Sequence, residues 1–321
     1  MTRPLIGLHA SHEQFAPDRL LRLVQAAEAA GFDAAMCSDH WAPWSDEQGE
    51  SGFAWSWLGA ALEATSLSLG VVNAPGQRYH PAIIAQAAAT LGVMYPDRFW
   101  VALGSGQLLN EHITGEPWPI KSERNERLRE AADVMRRLWA GETVTHSGHV
   151  TVSEARLWTR PERSPLLVGA AVTPETAGWV GEWADALITI LQPEETLRKI
   201  VDAFRSGGGE RKPMFLQVHL AYAPTDEEAR AAAFDQWRQN TLPNTVMTEL
   251  RHPDQISDAA SHLTPADLDD AVRISADPAM HVEWLRGDLE MGFERLYLHE
   301  VGPEQERFVE VFGREVLPRL R

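Results

Sequence analysis

A single cysteine, Cys37, stands among 321 residues, which excludes an intrachain disulfide and suits a reducing cytoplasm. Positive charge is scarce too: 29 Lys and Arg face 46 Asp and Glu, a formal net charge of −17. No basic stripe offsets that charge, so neither nucleic acid nor an anionic membrane is expected as a partner. No apolar run approaches about 18 residues, and the opening MTRPLIGLHASHEQ carries too short an apolar run for a signal peptide. The expectation is a cytoplasmic globular protein. CxxC, Walker and GxSxG motifs are missing, and GSGQLLNE has only G-S-G, not the GxGxxG of a dinucleotide fold.

What is present is a beat of apolar runs: 5–10, 34–39, 69–74, 99–106, 166–171, 186–191, 214–222 and 295–301. They are near-continuous rather than alternating, which suits strands covered on both faces. Amphipathic helical patterns lie between them. PDRLLRLVQAAEAAG opens with Pro17 near its first turn and stops at Gly31, and RNERLREAADVMRRLWAG sets Leu128, Ala132, Met135 and Trp139 on one face before Gly141. Eight strands each followed by helix predict an α/β fold, a (β/α)8 TIM barrel, as one domain over 1–321. Two long intervals read as insertions: a hairpin in 141–164 and extra helices in 224–292.

In such a barrel the site lies at the C-terminal ends of the strands. Asp39 and His40 follow the second run, Glu13 the first, and Gln107 and Asn110 the fourth, so all converge on one mouth. The stretch CSDHWAPW then presents an acid, an imidazole and two indoles, Trp41 and Trp44, at that mouth. His40 has two readings, a core histidine or a catalytic base. His9 and His12 are three apart, but one ends a strand and the other follows it, so no metal site is expected. In VTPET, the N–H groups of Val172 and Thr173 can cradle a phosphate, or Thr173 is a helix N-cap.

The stretches ASHEQFAP (10–17), SDHWAPW (38–44), RYHPAIIAQAAATLGVMYPDR (78–98), LGSGQLLNEHITG (103–115) and SADP (275–278) resemble the luciferase-like superfamily of flavin-dependent oxidoreductases. Within it the chain is similar to the branch of deazaflavin-dependent sugar-phosphate dehydrogenases, and most to a subgroup that uses FMN. The resemblance implies a planar ring across the mouth over a bulge at Val71–Val72–Asn73 with a non-proline cis peptide. It implies Asp39, Val71, Val72, Ala74, Gly104, Ser105, Gly106, Asn110, Val172 and Thr173 as cofactor contacts. It further implies His40 as base, Glu13 orienting it, Trp44 walling the pocket, and Trp41 and His219 meeting the substrate.

Two departures shape the functional expectation. Gln107 stands where the dehydrogenases have a glutamate, and an amide cannot supply a proton. That favours FMN, with the deazaflavin coenzyme as the alternative. Pro193, His219, Met247 and Ala271 fall near the family's cationic phosphate cage, with Arg273 close by. The expectation is therefore a flavin-dependent dehydrogenase or two-component monooxygenase acting on a small non-phosphorylated substrate, the latter with a separate flavin reductase. The alternatives are a deazaflavin-dependent alcohol or sugar dehydrogenase, and a flavin-binding protein without turnover. The family also implies a homodimer, and the Ala-rich faces AAEAAG and AQAAATLG would permit close helix packing.

Overall fold

A computed structural model describes residues 3–321. The strands are β1 (Leu5–Ala10), β2 (Ala34–Ser38), β3 (Ser68–Asn73), β4 (Phe99–Leu103), β5 (Val144–Ser147), β6 (Thr151–Ala155), β7 (Leu166–Ala170), β8 (Ala186–Ile190), β9 (Met214–Ala221), β10 (Arg273–Ile274) and β11 (Arg295–Glu300). The parallel order runs β9-β11-β1-β2-β3-β4-β7-β8, and β8 pairs back onto β9, which closes a (β/α)8 barrel. The two-residue β10 hangs on the C-terminal end of β9. The β5–β6 pair is antiparallel, the hairpin expected in the first insertion.

The helices are α1 (Pro17–Ala30), α2 (Ala54–Ala64), α3 (Pro81–Met94), α4 (Leu108–Glu111), α5 (Lys121–Trp139), α6 (Pro174–Trp183), α7 (Glu194–Phe204), α8 (Asp226–Trp237), α9 (Asn244–Met247), α10 (Pro253–Ala259), α11 (Pro278–Glu290) and α12 (Gln305–Val311). Local chemistry sets several boundaries. Proline opens α1, α3 and α6 where no N–H is needed, and Gly31 closes α1 at φ 96°, a left-handed geometry that favours glycine. The segment between β9 and β11 carries α8 to α11 and β10; α8 packs with Leu268 and Val272 around Trp237, whereas α11 joins the main core through Val282 and Leu285.

Two apolar layers hold the barrel. Outside, residues such as Leu8, Val71, Val101 and Leu216 meet the helices. Inside, Ala34, Met36, Trp100, Val168, Ile188, Phe215 and Tyr297 fill the lower interior. Trp100 fits only because Gly70 lies against it: a Cβ there would sit 1.9 Å from the indole. Val71 therefore faces the helical layer, and only Val72 of that pair faces inward.

The strained bulge expected at Val71–Val72–Asn73 is not found. Those residues pair in regular parallel register with Val101, Ala102 and Leu103, and no cis peptide occurs among the described residues. An unbroken ladder on both edges of β3 leaves no residue to bulge. The Ala-rich face of α3 (Ala85, Ala88, Ala89) is fully buried within the protein's own core, so it is already occupied.

Gly70→Ala should force Trp100 from a fully packed interior and cost about 2–3 kcal/mol. Denaturant unfolding checks this, and an unchanged midpoint would contradict the packing described.

Candidate active site

The C-terminal ends of β1, β2, β3 and β4 bring together groups that sequence alone could only place on one rim. Asp39 leaves β2 with its side chain fully buried. Its carboxylate accepts from Trp55 Nε1 at 3.1 Å, Asn73 Nδ2 at 2.7 Å and the Tyr79 hydroxyl at 3.2 Å. Arg78 Nη2 lies 3.6 Å from the same carboxylate and donates to the Asp39 backbone carbonyl at 2.7 Å. The resemblance implied Asp39 as a direct partner of the ring. In the structure its carboxylate anchors the residues around it through these three donors. Among them, Asn73 keeps a buried Oδ1 with no partner among the described residues.

Arg78 also reaches Glu111, whose Oε1 is 3.8 Å from Nε and whose Oε2 accepts the Arg78 backbone N–H at 2.7 Å. Burial raises the Glu111 carboxyl above its ordinary value, against the lowering pull of Arg78. Sequence reading missed Arg78, Tyr79, Trp55, Asn73 and Glu111. Arg78 and Tyr79 had one signal, their place just before the His80–Pro81 helix start, whereas Trp55 looks like any helical core residue.

His40 sits beside this anchor. Its ring packs edge-on to Trp44 at 4.8 Å, and its Nδ1 is 3.4 Å from Glu13 Oε1. That approach is close but is not a formed hydrogen bond, and the buried Nδ1 has no other partner among the described residues. Burial is the main reason His40 falls to about 4, with the positive charge of Arg78 acting the same way. Burial raises Glu13 to about 7, although Ser11 Oγ donates to its Oε2 at 3.1 Å. Near neutral pH the histidine is therefore neutral and its neighbouring acid is half-protonated.

The adjoining stretch after β4 is built from small residues. Gly104 follows β4, and a Cβ there would find only the Ala170 methyl at 3.8 Å and a carbonyl at 4.0 Å. Gly106 adopts φ 84°, beside Ala74. Ser105 Oγ accepts from Lys121 Nζ at 2.6 Å. Gln107 precedes α4, and its Oε1 accepts from Asn110 Nδ2 at 3.3 Å, while Asn110 Oδ1 accepts the Trp41 N–H at 2.8 Å. Trp41 itself is 56% exposed.

Thr173 caps α6, accepting from the Thr176 N–H at 3.2 Å, so the N-cap reading is realised. Val172 is half-buried next to it, its carbonyl accepting from Gln192. His9 and His12 diverge: His9 stacks on His299 at 4.3 Å, while His12 meets Trp57 edge-on at 4.9 Å. His219 is buried beside Trp237 and is lowered to about 4 by burial, so it is not the cation a phosphate would need. Arg273 is committed to Asp288, with contacts of 2.5 and 2.8 Å. Met247 is buried against Leu109 and Ile256. A cleft of about 360 Å³ lies beyond the ends of β8 and β10, between Pro193, Arg230, Arg273 and Trp284, and His40 is not among its walls.

The mouth of the closed parallel barrel thus gathers a histidine, a carboxylate and an indole. Residues 1–295 match the family model described as luciferase-like monooxygenase, and the chain belongs to that family. It is an enzyme of the luciferase-like oxidoreductase class. An F420-dependent glucose-6-phosphate dehydrogenase of Microbacterium testaceum is 36% identical over 334 residues, covering 100% of this chain and 99% of that protein. One of the same description from Mycobacterium tuberculosis is 34% identical, covering 98% of each. Among solved structures, an F420-dependent secondary alcohol dehydrogenase in complex with an F420-acetone adduct superposes with a TM-score of 0.91 at 29% identity, covering 100% of both chains.

The raised Glu13 fixes a sign. A carboxyl at about 7 in the folded protein and near 4.5 unfolded contributes fully below pH 4.5, and that contribution is lost as the pH rises through 7. Relative to Glu13→Gln, the wild type should lose about 3 kcal/mol of stability across that window. Urea unfolding at a series of pH values measures it, and parallel profiles for the two proteins would refute the buried acid.

Proposed function

We propose that the protein is a deazaflavin-dependent (F420) dehydrogenase that oxidises a hydroxyl of an alcohol or sugar to a carbonyl. The observation that carries this is His40: a buried imidazole held neutral down to about pH 4, walled by Trp44 and touching Glu13. The ring nitrogen is unprotonated at working pH, as a proton acceptor must be, and Glu13, raised to about 7, stands 3.4 Å away to take the proton on.

The mouth fits the coenzyme by its own features. Gly104 leaves a floor with only the Ala170 methyl and a carbonyl near it, suited to a planar ring, and the buried Asn73 Oδ1 has no partner among the described residues. Gly104, Ser105, Gly106, Ala74, Val72 and Asn110 would hold the ring system, with Lys121, Val172 and Thr173 toward its phosphate. When bound, the deazaflavin supplies a two-electron hydride acceptor. The chain's own part is positional and acid–base. His40 takes the hydroxyl proton, Glu13 sets the ring's orientation and can share that proton, and Trp44 keeps water from the reacting carbon.

This ranking reverses the expectation of FMN drawn from Gln107. The relatives over the whole length of the chain carry F420 in their names, and an amide at 107 can still donate a hydrogen bond. The named activity of the curated relatives favours glucose 6-phosphate. The arginine geometry favours an uncharged substrate: Arg273 is neutralised by Asp288, Arg230 by Asp269, and His219 is uncharged. We take the uncharged hydroxyl compound as substrate, and homodimerisation as a proposal alongside it. A separate flavin reductase belongs only to the monooxygenase reading.

His40→Ala should leave coenzyme affinity nearly intact and lower turnover about 100- to 10,000-fold. Unchanged turnover would return His40 to a structural role. In competition binding, the deazaflavin should exceed FMN by at least about tenfold, and an FMN preference of that size would restore the earlier ranking. Neutral secondary alcohols should be oxidised at least about tenfold better, by kcat/KM, than glucose 6-phosphate; the reverse order means that an anion site exists outside the residues named.

A further inference from the structure

Arg78 pairs with Asp39 and Glu111, Arg124 with Glu249, Arg230 with Asp269 and Arg273 with Asp288, so none of these four meets an anionic ligand as a free charge. Lys121 is different. It opens α5 with its stem exposed and its amine turned onto the loop after β4, where Nζ donates to Ser105 Oγ at 2.6 Å. The charged groups that face it are Arg124 on its own helix, which repels it, and Glu175 in the first turn of α6, a weaker attraction. An ammonium held by a neutral hydroxyl beside a like charge lacks its counter-charge. Nothing in the sequence reading had singled this lysine out.

Two contacts locate the amine. Ser105 is one residue beyond Gly104, the floor for the ring, so the amine stands at the edge of the ring site. Its electrostatic contact with Glu175 places it across from the start of α6. There the N–H groups of Val172 and Thr173 bond to nothing among the described residues, whereas the Thr173 hydroxyl is spent on Thr176. Those N–H groups are dipoles without a full charge, and Glu175 beside them repels an anion. The α6 side can therefore orient a phosphate, but the neutralising charge has to come from Lys121.

We infer that Lys121 is the specificity-determining cation for the coenzyme's phosphate, seated with Ser105 Oγ and the Val172 and Thr173 N–H groups, and that it makes coenzyme binding depend on pH. This seat belongs to the coenzyme site proposed above and rests on that reading. Partial burial of the amine, and then Arg124, lower Lys121 to about 8, with Glu175 opposing them. Only the ammonium form neutralises the anion. The phosphate's share of the affinity is therefore full near neutral pH and declines as the pH rises above 8.

Fluorescence titration tests it with two pairs of rings that differ only in a terminal phosphate: 8-hydroxy-5-deazariboflavin against its 5′-phosphate, and riboflavin against FMN. Ring ionisation is common to both members of a pair and cancels in their ratio. At pH 7 the wild type should bind the phosphorylated member of at least one pair about tenfold tighter or more. Lys121→Gln should cut that preference at least about fivefold while moving the phosphate-free Kd less than about twofold, and Lys121→Arg should restore most of it. Between pH 7 and pH 9.5 the wild-type preference should fall about fivefold, and that of Lys121→Gln should stay level. A preference that survives in Lys121→Gln, or equal weakening of both members of a pair, overturns the role of the lysine. So does a wild-type preference that is level with pH, which decides the matter alone should the variant not fold. A phosphate preference seen only in the FMN pair would sink the deazaflavin reading and leave the seat standing. Binding of neither ring overturns both.

Discussion

The mouth of this barrel is organised around one buried carboxylate, Asp39. A fully desolvated carboxylate is costly unless each oxygen is satisfied. Trp55 from α2, Asn73 at the end of β3, and Tyr79 and Arg78 ahead of α3 all meet that demand. Two successive βα connections, β2–α2 and β3–α3, are thereby tied to one point. Arg78 extends the tie to Glu111 at α4, and its positive charge helps keep the adjacent His40 unprotonated. The interaction that orders the loops thus adds to what burial chiefly does, keeping His40 unprotonated.

A second theme is the avoidance of charge where the substrate would lie. Histidines 9, 12, 40, 219 and 299 crowd the mouth, and burial lowers each of them. Arg230 and Arg273 are paired with acids. A site of that kind recognises its ligand by hydrogen-bond direction rather than by net charge.

The eight barrel strands were legible because parallel strands buried on both faces read as continuous apolar runs, and glycine or proline marked the neighbouring helix ends. Glu13, His40 and Trp44 were legible because strand ends share one rim, so distance along the chain did not matter. The wiring was not. Asp39 looked like a free ligand because its partners, Trp55 and Tyr79, lie 16 and 40 residues further along and carry no periodic signal. The bulge at Val71–Asn73 came from resemblance, and the regular pairing of β3 on both edges overrides it. Arg273 looked available because Asp288 is fifteen residues away on α11, a contact no local pattern announces.

The central claim is that burial holds His40 neutral at working pH so that it can take a proton. The most direct measurement is a pH titration of the His40 ring followed by NMR in the intact protein. The account predicts a neutral imidazole from pH 8 down to about pH 5, with protonation only near 4. A His40 that is protonated at pH 7 would contradict it.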